Sequence, residues 1–217
     1  MVVIDAQTLL TQPQALLAHV QAALARRGGP PPRELPAGVR RAAVLLVLVH
    51  ARGEAALLLT KRSHLVEHHK GQISLPGGVV EPGESPLDAA LRETSEEIGV
   101  RAQDVTILGP LDEEETVVSG FMLTPFVGSI PYPYPLRASP AEVHRVLEVP
   151  LRTLLDPRNL RTELWDHEGA SRIIYFYTVG ADVVWGATAR VITQFLRRVF
   201  PAVIPPDGDL PAARRRE

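Results

Sequence analysis

Apolar residues recur with a helical period between Ala6 and Arg26, at Leu9, Leu10, Leu16, Leu17, Val20 and Leu24, and the pattern stops at Gly28-Gly29. An N-terminal helix packed on the rest of the protein is expected there. The pattern then shortens to two apolar runs, Ala42 to Val49 and Ala55 to Thr60, separated by Ala51-Arg52-Gly53-Glu54, which reads as a hairpin. Short strands are expected around Pro76-Gly77-Gly78. Another pair, Val105 to Leu111 and Phe121 to Ile130, is joined through Asp112-Glu113-Glu114-Glu115, and Val143 to Val149, Arg161 to Trp165 and Arg172 to Val179 are further strands. Gly186 to Phe200 reads as an amphipathic helix with Ala189, Ile192, Phe195, Leu196 and Val199 on its apolar side. Strands with helices before, within and after them indicate an α/β architecture.

One further helix is expected from about Pro86 to Ile98. Ser85 can accept from an early backbone N–H, Pro86 sits where its missing N–H is harmless, and Asp88 suits the positive end of the helix dipole. At about 100° per residue, Leu87, Leu91, Thr94 and Ile98 share one face, whereas Glu93, Glu96 and Glu97 share another. Three carboxylates at this spacing repel one another and call for a cation or a solvated face. The flanking residues favour a cation. The Pro76-Gly77-Gly78 turn can bring a backbone carbonyl to the same ion, and Arg92 sets a guanidinium beside the acids. Hard oxygen donors of this kind suit Mg²⁺ or Mn²⁺ bound together with substrate phosphates.

Composition narrows the setting. The chain has 217 residues, 45% of them hydrophobic, enough for one sizeable core. Prolines gather at Pro30 to Pro36, Pro131 to Pro135 and Pro201 to Pro211, which divides the chain into a helix and Pro-rich linker (1–36), a main domain (37–200) and a tail (201–217) expected to be largely disordered. A net charge of −2 gives no global attraction to nucleic acid or to an anionic membrane. With no Cys there is no disulfide, thiolate metal site or thiol nucleophile. No apolar span reaches the roughly 18 residues a membrane helix needs, and the start lacks the pattern of a secretion signal. A cytoplasmic protein is expected.

The segment from Gly78 to Gly99 follows G-x5-E-x7-R-E-x-x-E-E-x-G through Gly78, Glu84, Arg92, Glu93, Glu96, Glu97 and Gly99. Seven identities at roughly 6% each put chance at about 10⁻⁸ to 10⁻⁹ per start position. The segment resembles the signature of the Nudix hydrolases, which use divalent metal to cleave a nucleoside diphosphate linked to another group. That resemblance implies a mixed β-sheet sandwiched between helices, to which this chain adds its N-terminal helix. It further implies Glu93 and Glu97 as principal metal ligands, Glu96 as a further or water-mediated one, a contribution from the Gly77 carbonyl, Glu84 supporting the loop and Arg92 orienting the carboxylates. Thr94 replaces the bulky aliphatic residue usual in the family, on the packing face.

Upstream, Leu58-Leu59-Thr60-Lys61-Arg62-Ser63 followed by Gly71-Gln72 and Pro76-Gly77-Gly78 resembles the LLT-x-x-S and GQ-x3-PGG motifs of the coenzyme A pyrophosphatase branch, as does Trp185-Gly186-Ala187-Thr188-Ala189-Arg190. The implied reaction cleaves coenzyme A to 4′-phosphopantetheine and adenosine 3′,5′-bisphosphate. Its binding residues would be Lys61, Arg62, Ser63, Lys70 and Gly78, with at most one of Lys61 and Arg62 facing the ligand because strand alternation separates them. ADP-ribose or NADH is the alternative substrate class, and a non-catalytic nucleotide sensor is the alternative outside enzymes. The partner is in each case a small nucleoside diphosphate, not nucleic acid or membrane. The proton acceptor could be a helix glutamate or a carboxylate on a loop, where Glu142 or an acid among Glu113 to Glu115 could reach the site. His64 and His68 read as surface residues and Trp185 as a core anchor.

Overall fold

The structure is a computed structural model, and it describes residues 6–26, 34–35, 38–63, 71–116, 120–167, 170–204, 207 and 214–215. The N-terminal helical region is broken into α1 (Ala6–Thr11) and α2 (Pro13–Ala25). The single helix expected there is interrupted because Pro13 has no N–H and pushes the preceding residue out of helical geometry. Gln12 accordingly sits at φ −116°, ψ 93°.

Strands β1 (Arg40–Ala51) and β2 (Glu54–Arg62) form the expected hairpin. Its two turn residues, Arg52 and Gly53, both have positive φ, the requirement of the tightest hairpin turn. There follow β3 (Ile73–Ser74), β4 (Gly77–Val79), α3 (Pro86–Ile98), β5 (Thr106–Pro110), β6 (Glu114–Glu115), β7 (Phe121–Ser129) and β8 (Val143–Pro150). These strands make one sheet in the order β3-β2-β1-β7-β5, with β4 beside β1, β6 beside β7 and β8 beside β2. The β1–β7 pair is parallel and the others are antiparallel, so the sheet is mixed. After α4 (Leu151–Leu155), strands β9 (Leu160–His167), β10 (Ala170–Val179) and β11 (Asp182–Trp185) form a second sheet, and α5 (Gly186–Val199) follows. Within the tail, Ile204 is buried in the core and β12 (Arg214–Arg215) runs beside β9.

Both faces of the mixed sheet are covered, which is why Ala42 to Val49 is one uninterrupted buried run. Ala43, Leu45, Val47 and Val49 pack with Ala89, Ala90 and Ile98 of α3. Val44, Leu46 and Leu48 join the cluster built by Val20 and Leu24 of α2, Tyr175 and Tyr177 of β10, and Ile192, Phe195 and Leu196 of α5. The sheet is therefore sandwiched between helices, with the N-terminal helices on the side opposite α3. Among the described residues no helix is long and apolar enough to cross a membrane.

Candidate functional site

The acidic helix is fixed at both ends by its own sequence. The Ser85 hydroxyl accepts from the Asp88 N–H at 3.2 Å, Pro86 opens the helix, and Gly99 at φ 75° ends it in the left-handed conformation. Small residues let it lie close to the sheet. A Cβ on Gly78 would stand 2.4 Å from the Glu93 carboxylate, and one on Gly77 would stand 2.2 Å from the Ala43 carbonyl oxygen. The double glycine thus gives the backbone of β4 and the helix carboxylates a common boundary.

Arg92 ties the loop to the helix. Its guanidinium donates to both oxygens of Glu84 at 2.9 and 3.1 Å, to Glu93 Oε1 at 2.9 Å, to Glu96 Oε2 at 3.3 Å and to the Val79 carbonyl at 3.1 Å. Glu84 also accepts from the Glu81 N–H at 3.1 Å. The Arg92 bond holds the Glu84 carboxyl below its ordinary value. Arg92 leaves Glu93 at a defined angle beside the glycine turn, while Glu96, with 55% of its side chain exposed, points to the outer side.

Glu97 does not lie on an open face. It is 3% exposed, because the packing face is centred on Ala90, Thr94 and Ile98, while Leu87 and Leu91 are only half-buried. Thr94 fits this interior by donating its hydroxyl to the Ala90 carbonyl at 2.6 Å. Burial pushes the Glu97 carboxyl up to about 8; Glu93 and Glu142 add to the rise, and Arg62 and the Gly77 backbone oppose it. Burial likewise raises Glu93, against the pull of Arg92. Glu97 Oε2 is buried without a hydrogen-bond partner, and so is Arg62 Nε, although Arg62 Nη1 comes within 3.9 Å of Glu97 Oε1.

These groups open onto a cleft of about 530 Å³ lined by Arg40, Arg62, Gly77, Gly78, Val79, Val80, Glu81, Pro82, Glu93, Glu97 and Glu142. Arg62 faces Glu97, whereas Lys61 donates to Asp182 of β11 at 2.8 Å, outside that lining. The pairing of β2 with β8 shifts between Lys61 and Arg62, a bulge of the kind that re-aims side chains beside sites. Ser63 is buried, and its N–H donates to the Glu142 carbonyl at 2.7 Å, anchoring the residue that carries a fourth carboxylate into the cleft. Lys70, His64 and His68 lie outside the described residues.

The acidic loop goes elsewhere. Glu113 is buried against Arg41 and accepts from Thr124 at 2.9 Å, Glu114 accepts from Gln194 at 3.1 Å, and Glu115 pairs with Arg172 at 3.4 Å. Trp185 is 37% exposed and is no core anchor: it ends β11 and stacks on Phe176 with ring centroids 6.1 Å apart. Arg40 and Glu81 escaped sequence reasoning. Their place in the cleft follows from β4 doubling back on the start of β1, which no local pattern announces.

Among the described residues no three acidic or imidazole side chains come together as a group that could hold a metal ion by themselves. The donors still fit a hard divalent cation. Mg²⁺ characteristically takes one or two carboxylates and completes its shell with water and substrate phosphate. Glu93 and Glu97 offer two carboxylates one helical turn apart, the orphaned Glu97 Oε2 lacks any other partner, and the side-chain-free Gly78 borders Glu93.

Known proteins share this chain's sequence and fold. Residues 39–163 match the NUDIX domain. The chain is 37% identical over 171 residues to an uncharacterised Nudix hydrolase, NudL, of Photorhabdus laumondii, covering 78% of this chain and 90% of that protein. An uncharacterised NudL of Yersinia enterocolitica is 35% identical over 177 residues, covering 78% and 87%. A MutT/nudix family protein of Enterococcus faecalis shares the fold, with a TM-score of 0.51 at 18% identity over 88% of this chain and 75% of that one.

Proposed function

The chain belongs to the Nudix hydrolase family, and within it we propose that this protein hydrolyses the diphosphate of coenzyme A or its derivatives, in the cytoplasm, to 4′-phosphopantetheine and adenosine 3′,5′-bisphosphate. The observation that carries the reading is the charge of the cleft. Four carboxyl groups, Glu81, Glu93, Glu97 and Glu142, line the cleft beside two guanidinium groups, Arg40 and Arg62. Burial disfavours ionisation of Glu93 and Glu97, so a divalent cation is what lets both carry charge and join a diphosphate to this surface.

Glu93 and Glu97 would hold Mg²⁺ or Mn²⁺, with the Gly77 carbonyl beside them and Glu96 contributing at most through water. When bound, the ion supplies positive charge to the diphosphate and acidifies the attacking water. Arg92 keeps Glu93 and the Glu84 loop in register. Arg62 donates to phosphate oxygens, its Nε–H having no other partner beside Glu97. Glu142 accepts the proton as the water oxygen bonds to one phosphorus and the bridging oxygen leaves with the other phosphate. Ser63 supports that role through the backbone of Glu142. The upstream LLT-x-x-S pattern, ending at Ser63, favours coenzyme A over ADP-ribose or NADH. Retention of every helix carboxylate favours an enzyme over a nucleotide sensor.

The test is kcat/KM over a panel of coenzyme A, ADP-ribose and NADH with Mg²⁺. The highest value is expected for coenzyme A, and faster cleavage of ADP-ribose would reject that substrate while leaving the hydrolase in place.

A further inference from the structure

The cleft contains a cation that the hydrolytic steps leave unused. Arg40 opens β1, is exposed at the cleft, and holds its guanidinium carbon 4.7 Å from the centroid of the Phe121 ring. Among the described residues no carboxylate pairs with it, in contrast to Lys61, which Asp182 neutralises, and to Arg92, which Glu84, Glu93 and Glu96 surround. Its backbone is fixed by the Arg40 N–H donating to the Gly120 carbonyl at 3.1 Å, and its guanidinium carbon lies over the Phe121 ring. A stacked guanidinium retains its in-plane donors, so the aromatic contact orients Arg40 without consuming its hydrogen bonds.

Its position along the cleft sets what it can meet. Gly77, at the metal end, is paired with Val44 of β1, and Arg40 lies four residues before Val44. At a strand rise of ~3.3 Å per residue that is about 13 Å from the glycine turn. The Arg40 backbone therefore lies toward the end of the cleft away from the glycine turn, at a distance that the nucleoside half of a substrate spans. An unpaired, planar, oriented fork of donors suits a phosphate monoester.

We propose that Arg40, braced by Phe121, is a specificity residue that binds an additional phosphate monoester on the nucleoside half of the substrate, the group that distinguishes coenzyme A from dephospho-coenzyme A. The inference rests on the coenzyme A reading for its natural ligand, but its chemistry is testable without turnover. Lys61 and Lys70 are not required for it, and Arg62 remains with the scissile diphosphate.

The test compares the wild type with Arg40→Ala and Arg40→Lys, whose exposed position leaves the fold intact as checked by thermal melting. Two readouts are taken: kcat/KM for coenzyme A and for dephospho-coenzyme A, and calorimetric affinity for adenosine 3′,5′-bisphosphate and for AMP, all with Mg²⁺. Arg40→Ala is expected to lower the coenzyme A to dephospho-coenzyme A ratio of kcat/KM by roughly ten- to a hundredfold, the scale of a charge-assisted hydrogen bond. The preference of the protein for the bisphosphate over AMP should fall by a similar factor. Arg40→Lys, which keeps charge but not the stacked fork, should fall between. Equal losses on both members of each pair, or an unchanged ratio, overturn the proposal. If the wild type fails to cleave coenzyme A, the proposed substrate falls, and the affinity pair alone decides Arg40: a bisphosphate preference erased by Arg40→Ala sustains it, and no preference overturns it.

Discussion

In metal-free protein, Glu97→Gln should remove a steep pH dependence of stability. Burial raises this carboxyl from 4.5 to about 8, which corresponds to about 5 kcal/mol between its two protonation states at a residue only 3% exposed. The folded protein then keeps the proton up to about pH 8, whereas the unfolded chain releases it near pH 4.5. Between those values the folded state binds more protons. Stability from this group is fully present below pH 4.5 and is lost as the pH rises, at about 1.4 kcal/mol per pH unit, until it is exhausted above about 8. Gln has nearly the same shape and no such equilibrium. Urea unfolding in chelator at pH 5 and pH 7 should therefore show the difference between variant and wild type moving by about 2.5 kcal/mol in favour of the variant. Saturating Mg²⁺ should stabilise the wild type by mass action and the variant far less. Parallel pH curves for the two proteins in chelator would refute the burial argument.

The same Glu97→Gln protein, though folded, should lose at least about 10² in kcat, the scale of a lost positioned charge, and near-normal turnover would remove Glu97 from the site. Gly78→Ala should cut Mg²⁺-dependent turnover by at least about tenfold, because a Cβ 2.4 Å from the Glu93 carboxylate forces that side chain or the turn to move; unchanged kinetics would show the close approach to be unimportant. Glu113→Gln should reduce unfolding free energy by about 1–3 kcal/mol, since it removes a buried charge that pairs with the half-buried Arg41, while kcat stays within a few-fold; a large loss of kcat without loss of stability would return the acidic loop to the catalytic site.

The parts of this fold that are legible in the sequence are those governed by local chemistry. The helix Pro86–Ile98 is readable to its ends because Ser85, Pro86 and Gly99 each do a distinct job in capping it. The hairpin at Arg52-Gly53 is readable for the same reason. The break at Pro13 was equally local, and the rule that proline disfavours helix at the residue before it was there to be applied. What local pattern could not supply was which strands join which sheet, since β9 to β11 pair with one another and leave the mixed sheet through partner choice. Nor could it show Glu97 turned inward: a helical wheel treats three glutamates as one solvent face, and only the glycine turn packed against the helix, together with Arg62 arriving from β2, divides them into inner and outer groups. Strand β11 is four residues long and runs straight into α5 at Gly186, which hid both it and the exposure of Trp185.

The central claim is that carboxylates of this cleft hold a divalent ion that enables hydrolysis of the diphosphate of coenzyme A. Its most direct test is incubation of the purified protein with coenzyme A and Mg²⁺ in ¹⁸O-labelled water, with the products weighed by mass spectrometry. The account predicts 4′-phosphopantetheine and adenosine 3′,5′-bisphosphate, one labelled oxygen in one of the two, and no reaction in excess chelator. Intact coenzyme A with Mg²⁺ and Mn²⁺ alike, or undiminished cleavage in chelator, would contradict it.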